Sequence, residues 1–227
     1  MDLPAGSFVS LVGESGCGKS TIAGILAAKN RGYTGTVTIG GVPLSQVQEA
    51  ELMKRVVLVR HNSYLFKGTV EENLKMAKPD ATKDEMEAVL RQVNLLGFLQ
   101  TQNGLQTQLL EKASNLSGGQ CQRLVIARAL LKSDTAVYIF DEAASNIDVE
   151  SEELIMKVIH ELAKTKTVLL ISHRLANVVQ SDRIYFLKDG EIRESGTHEQ
   201  LMQANGAYRT LFDSQMALER YGTKEVA

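Results

Sequence analysis

The run Phe8-Val9-Ser10-Leu11-Val12-Gly13-Glu14-Ser15-Gly16-Cys17-Gly18-Lys19-Ser20-Thr21 decides the fold. Its first five residues form an apolar strand pattern, and Thr21 to Lys29 follow a helical one whose start carries small residues. Between them, Gly13 to Ser20 fit the phosphate-binding loop pattern where such a loop must lie, after a strand and opening a helix. Glycines let the backbone curl so that successive N–H groups face phosphate oxygens. Lys19 is placed to neutralise the β and γ phosphates, and the Ser20 hydroxyl can ligate Mg2+. Without those flanks the same letters would read as a glycine-rich turn that binds nothing.

Working outward, short apolar runs alternate with helical patterns, which predicts an α/β fold with a parallel central sheet. Ala136 to Phe140 and Lys166 to Ser172 read as further buried strands, and Val149 to Lys164 as an amphipathic helix capped by Asp148. Arg183 to Leu187, Asp189-Gly190 and Glu191 to Ser195 form a hairpin pattern, followed by closing helices. Gly35 to Gly41 alternate with period two, as peripheral antiparallel strands do. From Thr69 to about Ser133 helical signals dominate, among them the capping box Thr82-x-x-Glu85 followed by Met86, Val89, Leu90 and Val93. This reads as a helical insertion.

Composition excludes several classes. With 227 residues, 44% hydrophobic and 23% charged, the chain can bury a substantial core and is no disordered tail. Lys+Arg 25 against Asp+Glu 27 gives a net charge of -2, without the basic excess of a nucleic-acid binder. Apolar runs such as Val56 to Val59 and Thr167 to Ile171 fall far short of the roughly 20 residues that span a bilayer. Met1 to Gly6 have neither the basic start nor the apolar stretch of a secretory signal, so a cytosolic location is expected. The two cysteines, Cys17 and Cys121, stand in polar motifs and are expected to be reduced.

Two further segments carry chemistry. Ala136-Val137-Tyr138-Ile139-Phe140-Asp141-Glu142 puts two carboxylates at the end of an apolar strand, the edge where open α/β sheets bind ligands. Asp141 would hold Mg2+ through its water shell, and Glu142 would polarise the water that attacks a γ-phosphate. Leu116-Ser117-Gly118-Gly119-Gln120 precedes a helix expected over Cys121 to Leu131. Ser117-x-x-Gln120 is a capping pattern, but the consecutive glycines cost helix stability and would expose amides suited to an anion.

In this order and spacing, the three segments resemble the nucleotide-binding domain of an ATP-binding cassette (ABC) transporter, whose signature is Leu-Ser-Gly-Gly-Gln. The resemblance runs from about Phe8 to about Phe212. Glu142-Ala143-Ala144-Ser145-Asn146-Ile147-Asp148 resembles the family's D-loop, and Ile171-Ser172-His173-Arg174-Leu175 its switch-histidine segment. Phe66 to Val70 with Glu72-Asn73, and Ser195-Gly196-Thr197-His198, resemble the exporter-like branch, in which Glu111 would fall in a loop that touches the membrane domains.

The resemblance implies a P-loop NTPase core over about 1–66 and 134–227, with a helical subdomain over about 67–133, in one domain. It implies ATP and Mg2+ as ligands. Lys19, Glu142 and His173 would be catalytic, with His173 on the γ-phosphate, and Ser20 and Asp141 would serve the metal. Nucleotide contacts would come from Gly13, Glu14, Ser15, Gly16, Cys17, Gly18, Lys19, Ser20 and Thr21, and from His61, Ser117, Gly118, Gly119, Gln120 and Asp148. The partners implied are a second nucleotide-binding domain, which sandwiches ATP between one phosphate loop and the other's signature, and transmembrane domains at the cytoplasmic face of the membrane. No nucleic-acid partner is implied. The alternatives are a degenerate regulatory cassette and a soluble ABC ATPase outside transport.

Two departures stand out. His61 occupies the place of a glutamine that reaches Mg2+ and the attacking water, and an imidazole suits hard Mg2+ less well than an amide oxygen. Twelve residues precede Gly13, where the family has opening strands with an aromatic that stacks on adenine. The expectation is a piece of a longer polypeptide, the alternative being an adenine platform supplied by another chain or a divergent contact; ATP binding by the piece itself would rest on phosphates and metal.

Overall fold

Five strands bury both faces, and their side chains alternate strictly between two apolar layers. On β1 (Phe8–Gly13) Phe8 and Val12 join one layer and Val9 and Leu11 the other. The same division separates Tyr138 and Phe140 from Ile139, Val168 and Leu170 from Leu169 and Ile171, and Ile184 and Phe186 from Tyr185 and Leu187. Doubly covered strands of this kind belong to a parallel sheet clad by helices on each side. The computed structural model describes residues 1–224 and has that form.

After β1 come α1 (Lys19–Leu26), a two-residue ladder of β2 (Thr38–Ile39) and β3 (Val42–Pro43), α2 (Glu49–Arg55) and β4 (Val56–Arg60). A second short ladder, β5 (Gly68–Thr69) with β6 (Gln108–Leu109), brackets α3 (Val70–Lys75), α4 (Lys83–Gln92) and α5 (Leu96–Gln100). Then follow α6 (Gly118–Leu130), β7 (Val137–Asp141), α7 (Val149–Ala163), β8 (Thr167–Ile171), β9 (Arg183–Lys188), β10 (Glu191–Gly196), α8 (His198–Ala204) and α9 (Ala207–Lys224). The six-stranded sheet has the order β10-β9-β1-β8-β7-β4, parallel except for the β9–β10 hairpin.

The expected central strands and the hairpin are present within a residue or two. The capping box at Thr82 and Glu85 forms as read, with Met86, Val89 and Leu90 buried. The first helix starts at Lys19 rather than Thr21 and stops at Leu26, because Ala28 turns left-handed at φ 52°. The helix expected from Cys121 begins at Gly118, so both glycines lie in its first turn. The alternating stretch at 35–41 pairs over only Thr38–Ile39. No described helix is long and apolar enough to cross a membrane.

Strand order carries the site. The carboxyl ends of β1, β8, β7 and β4 lie along one edge, where β1 leads into Gly13, β7 ends at Asp141, β8 leads into His173 and β4 ends at Arg60. At the far end, α9 is pinned by the Glu194 carboxylate, which accepts the Ala207 N–H at 2.6 Å. Fully buried Tyr208 meets His198 Nδ1 at 2.8 Å.

Candidate functional site

The loop between β1 and α1 has a fixed shape because it runs close to β9. A Cβ at Gly13, where φ is +146°, would come within 2.0 Å of the Leu187 carbonyl oxygen. Only glycine fits that approach. Lys19 opens α1 and is 4% exposed. Its Nζ lies inside the loop and donates to the Gly13 and Glu14 carbonyls, each at 2.8 Å. The first turn of α1 holds no acidic residue. A buried cation added to the positive end of a helix makes this point favourable for an anion. Cys17 lies beside Lys19 with its Sγ 3.8 Å from Nζ, while Thr21 is exposed and gives its carbonyl to Asn30 Nδ2 at 3.3 Å.

Ser20 and Asp141, 121 positions apart, meet directly: Ser20 Oγ donates to Asp141 Oδ1 at 2.9 Å. A hydroxyl and a carboxylate converging at the loop form a set of hard oxygen donors of the type Mg2+ prefers, so the residues fit that ion. Asp141 is otherwise buried, and its Oδ2 lies 3.5 Å from Arg60 Nε. Arg60 and Asp141 are register partners on β4 and β7. The contact is an ion pair without a hydrogen bond to Nε, which is buried. Sequence reading singled out His61, which is exposed, and passed over Arg60. The signal was there, since a charged residue ending an apolar strand warrants the attention that Asp141 received. Gln122, buried on α6, donates to the Arg60 carbonyl at 3.3 Å and holds this corner to the helical segment.

Glu142 sits in left-handed backbone at φ 55°, with its N–H on the Ile171 carbonyl at 3.0 Å and its own carbonyl accepting Ser145 Oγ at 2.8 Å. Such a backbone costs of order 1–3 kcal/mol in a non-glycine residue and persists only where its surroundings enforce it. It aims the carboxylate at the end of β8, where Oε1 meets His173 Nε2 at 2.5 Å. The chain therefore brings Lys19, Ser20, Asp141, Glu142 and His173 to one sheet edge.

The signature segment forms a second cluster. The Ser117 and Gln120 side chains close a capping box on each other's amides, at 3.2 and 2.9 Å. The amides of Gly118 and Gly119 have no acceptor within the helix. Gly119 is forced by packing, because a Cβ there would lie 2.0 Å from Ser151 Oγ in the first turn of α7. Asp148, exposed, caps α7 by accepting the Ser151 N–H at 2.8 Å, and that hydrogen bond holds its carboxyl below the usual range. Burial pushes the Cys121 thiol up, so it is a poor nucleophile near neutral pH. Among the described residues no group of three His, Cys, Asp or Glu is placed to hold a metal ion.

Comparison with known proteins shows the family. Residues 1–145 match the family profile described as ABC transporter. The chain is 48% identical over 216 residues to an uncharacterized ABC transporter ATP-binding protein of Haemophilus influenzae, a match covering 95% of this chain and 38% of that protein. It is 41% identical over 215 residues to an ATP-dependent lipid A-core flippase of Vibrio parahaemolyticus, covering 92% and 36%. Among solved structures, a bacterial Atm1-family ABC exporter with ATP bound matches with a TM-score of 0.89 at 32% identity, covering 95% of this chain and 38% of that one. The chain thus spans less than two fifths of the length of these relatives.

Proposed function

Because the chain belongs to the ABC transporter family, as an ATP-binding ATPase domain of exporter-like type, we propose that it powers transport by closing on a second such domain around ATP. The observation that carries this is the convergence of Ser20 with Asp141 at 2.9 Å beside the loop that holds Lys19. Loop amides from Gly13 to Thr21 and the Lys19 ammonium would bind the phosphates. Ser20 and Asp141 would hold Mg2+, which when bound supplies charge neutralisation at the phosphate oxygens. Glu142 accepts a proton from the water that attacks the γ-phosphorus, as the bond to the β,γ-bridging oxygen breaks and leaves ADP and phosphate. His173, released from Glu142, would contact the γ-phosphate. The partner's Ser117 to Gln120, with its glycine amides, would cover the same nucleotide from the other side, with Asp148 nearby at the seam. The segment over about 67–133 would serve as the helical subdomain that faces the transmembrane domains, at the cytoplasmic face of the membrane.

Glu142→Gln tests this reading, since an amide keeps the shape but cannot accept the proton. With ATP and Mg2+ the variant is expected to bind nucleotide, lose hydrolysis and accumulate as a dimer in light scattering. Hydrolysis at the rate of the unaltered protein would sink the assignment.

A further inference from the structure

We propose that Gln215, on α9, is a positioning residue for His173. The proposal rests on the placing of His173 at the γ-phosphate in the reading above. The Gln215 amide bridges the segment on both sides of Arg174. Nε2 donates to the His173 carbonyl at 2.6 Å, and Oε1 accepts the Leu175 N–H at 2.9 Å. One side chain that satisfies a backbone acceptor and a backbone donor two residues apart does what a neighbouring strand would do. It fixes the peptide planes that follow His173, and with them the direction in which its side chain leaves the loop.

The segment is also held from α7. Glu152, buried in the first turn of that helix, pairs with the Arg174 guanidinium and accepts Asn177 Nδ2 at 2.7 Å. His173 thus has a backbone gripped from two helices and a half-exposed imidazole whose Nε2 meets Glu142. A side chain that must leave a carboxylate for a phosphate needs this combination of fixed base and free tip. In the sequence the closing helices have no evident role. The clamp makes α9 part of the catalytic support, from a position 42 residues beyond His173.

The hydrogen bonds of the Gln215 side chain go to the His173–Leu175 segment and not to the loop Gly13 to Thr21, so its loss should slow turnover and spare nucleotide affinity. The test compares Gln215→Met, which keeps length and bulk but removes both hydrogen-bonding groups, with Gln215→Ala and His173→Ala in the full polypeptide. For Gln215→Met, kcat should fall roughly tenfold, the scale of loss that follows a displaced catalytic group, with KM for ATP within about twofold. Amide hydrogen exchange should quicken over residues 172–178 while residues 13–20 keep their protection. Unchanged kcat, a raised KM at unchanged kcat, unchanged exchange at 172–178, or quickened exchange throughout the chain would each overturn the proposal. His173→Ala with normal kcat would overturn the placing of His173 and the clamp together. An impaired His173→Ala beside a normal Gln215→Met would overturn the clamp alone.

Discussion

Arg60 presents a cation to the same carboxylate that is proposed to serve Mg2+. Its Nε stands 3.5 Å from Asp141 Oδ2, while Ser20 holds Oδ1. The Arg60 side chain is 35% exposed, so the pair is partly screened and worth of order 0.2–1 kcal/mol. That sum is enough to matter for an ion arriving at the same oxygens. Arg60→Gln removes the competing charge and should lower the Mg2+ concentration that half-saturates ATP binding by roughly 1.4- to fivefold, taking 1.4 kcal/mol per factor of ten. Calorimetric titration with Mg2+ at fixed ATP measures it, and an unchanged or raised midpoint would show that Arg60 and the metal do not compete. The roles of Lys19, Asp141 and Glu142 were suggested by motif and strand context, because each sits where a strand meets a turn. Arg60 is marked in the sequence as a charge ending an apolar strand, but that it meets Asp141 is not, because the two lie 81 positions apart and only the β4–β7 pairing joins them.

Two helix starts press against each other at Gly119 and Ser151, and this contact sets how closely α6 approaches α7. A methyl group at 119 would sit 2.0 Å from Ser151 Oγ and 2.4 Å from its Cβ, so side-chain rotation cannot relieve the clash. Gly119→Ala should therefore cost roughly 1–3 kcal/mol, as overpacking does. For a domain of this size that is a fall of several degrees in Tm, about 2–4 °C per kcal/mol. Adding Ser151→Gly should restore part of it, and a double variant no more stable than Gly119→Ala would place the strain elsewhere. The sequence points to the amides of the glycine pair, and the structure adds a steric reason that no local pattern shows. Other elements were missed for a related cause. α2 passes into β4 between Arg55 and Val56 with no turn residue to divide them, so no local signal marks where the charged helix ends and the apolar strand begins. The alternation at 35–41 promised more sheet than forms, since period-two spacing gives no sign of whether a partner strand is present. β1, β7 and β8 are legible because burial on both faces demands nearly continuous apolar runs, interrupted in β1 only by buried Ser10 and bounded here by glycine, carboxylate and serine.

At the scale of the whole molecule, His160 links the core to pH. It lies in α7, edge-on to Phe8 at a ring distance of 5.4 Å, with its Nε2 buried and without a hydrogen-bond partner. Burial lowers its pKa below the usual 6.5, with Glu161 acting weakly in the opposite sense. Below about pH 6.5 the unfolded chain then binds more protons than the folded one, so stability falls as pH drops through the ordinary histidine range. His160→Leu should flatten that fall between about pH 7 and 5.5, read from Tm against pH, and an equally steep curve would locate the sensitivity in other groups. The parallel sheet has a different consequence, concerning which changes of chain length the protein can survive. Leu11 stands opposite Ile171, and Ile171 opposite Asp141, so three strands share one ruler whose marks are about 3.3 Å apart. A residue inserted in β8 would shift His173 by one mark and send alternate side chains into the opposite apolar layer. A residue inserted between Ala28 and Gly35, or between Thr101 and Gln106, would lengthen a connection without moving any mark. Changes of length are therefore tolerable in the connections alone, where they leave the distances among Lys19, Asp141 and His173 as they are.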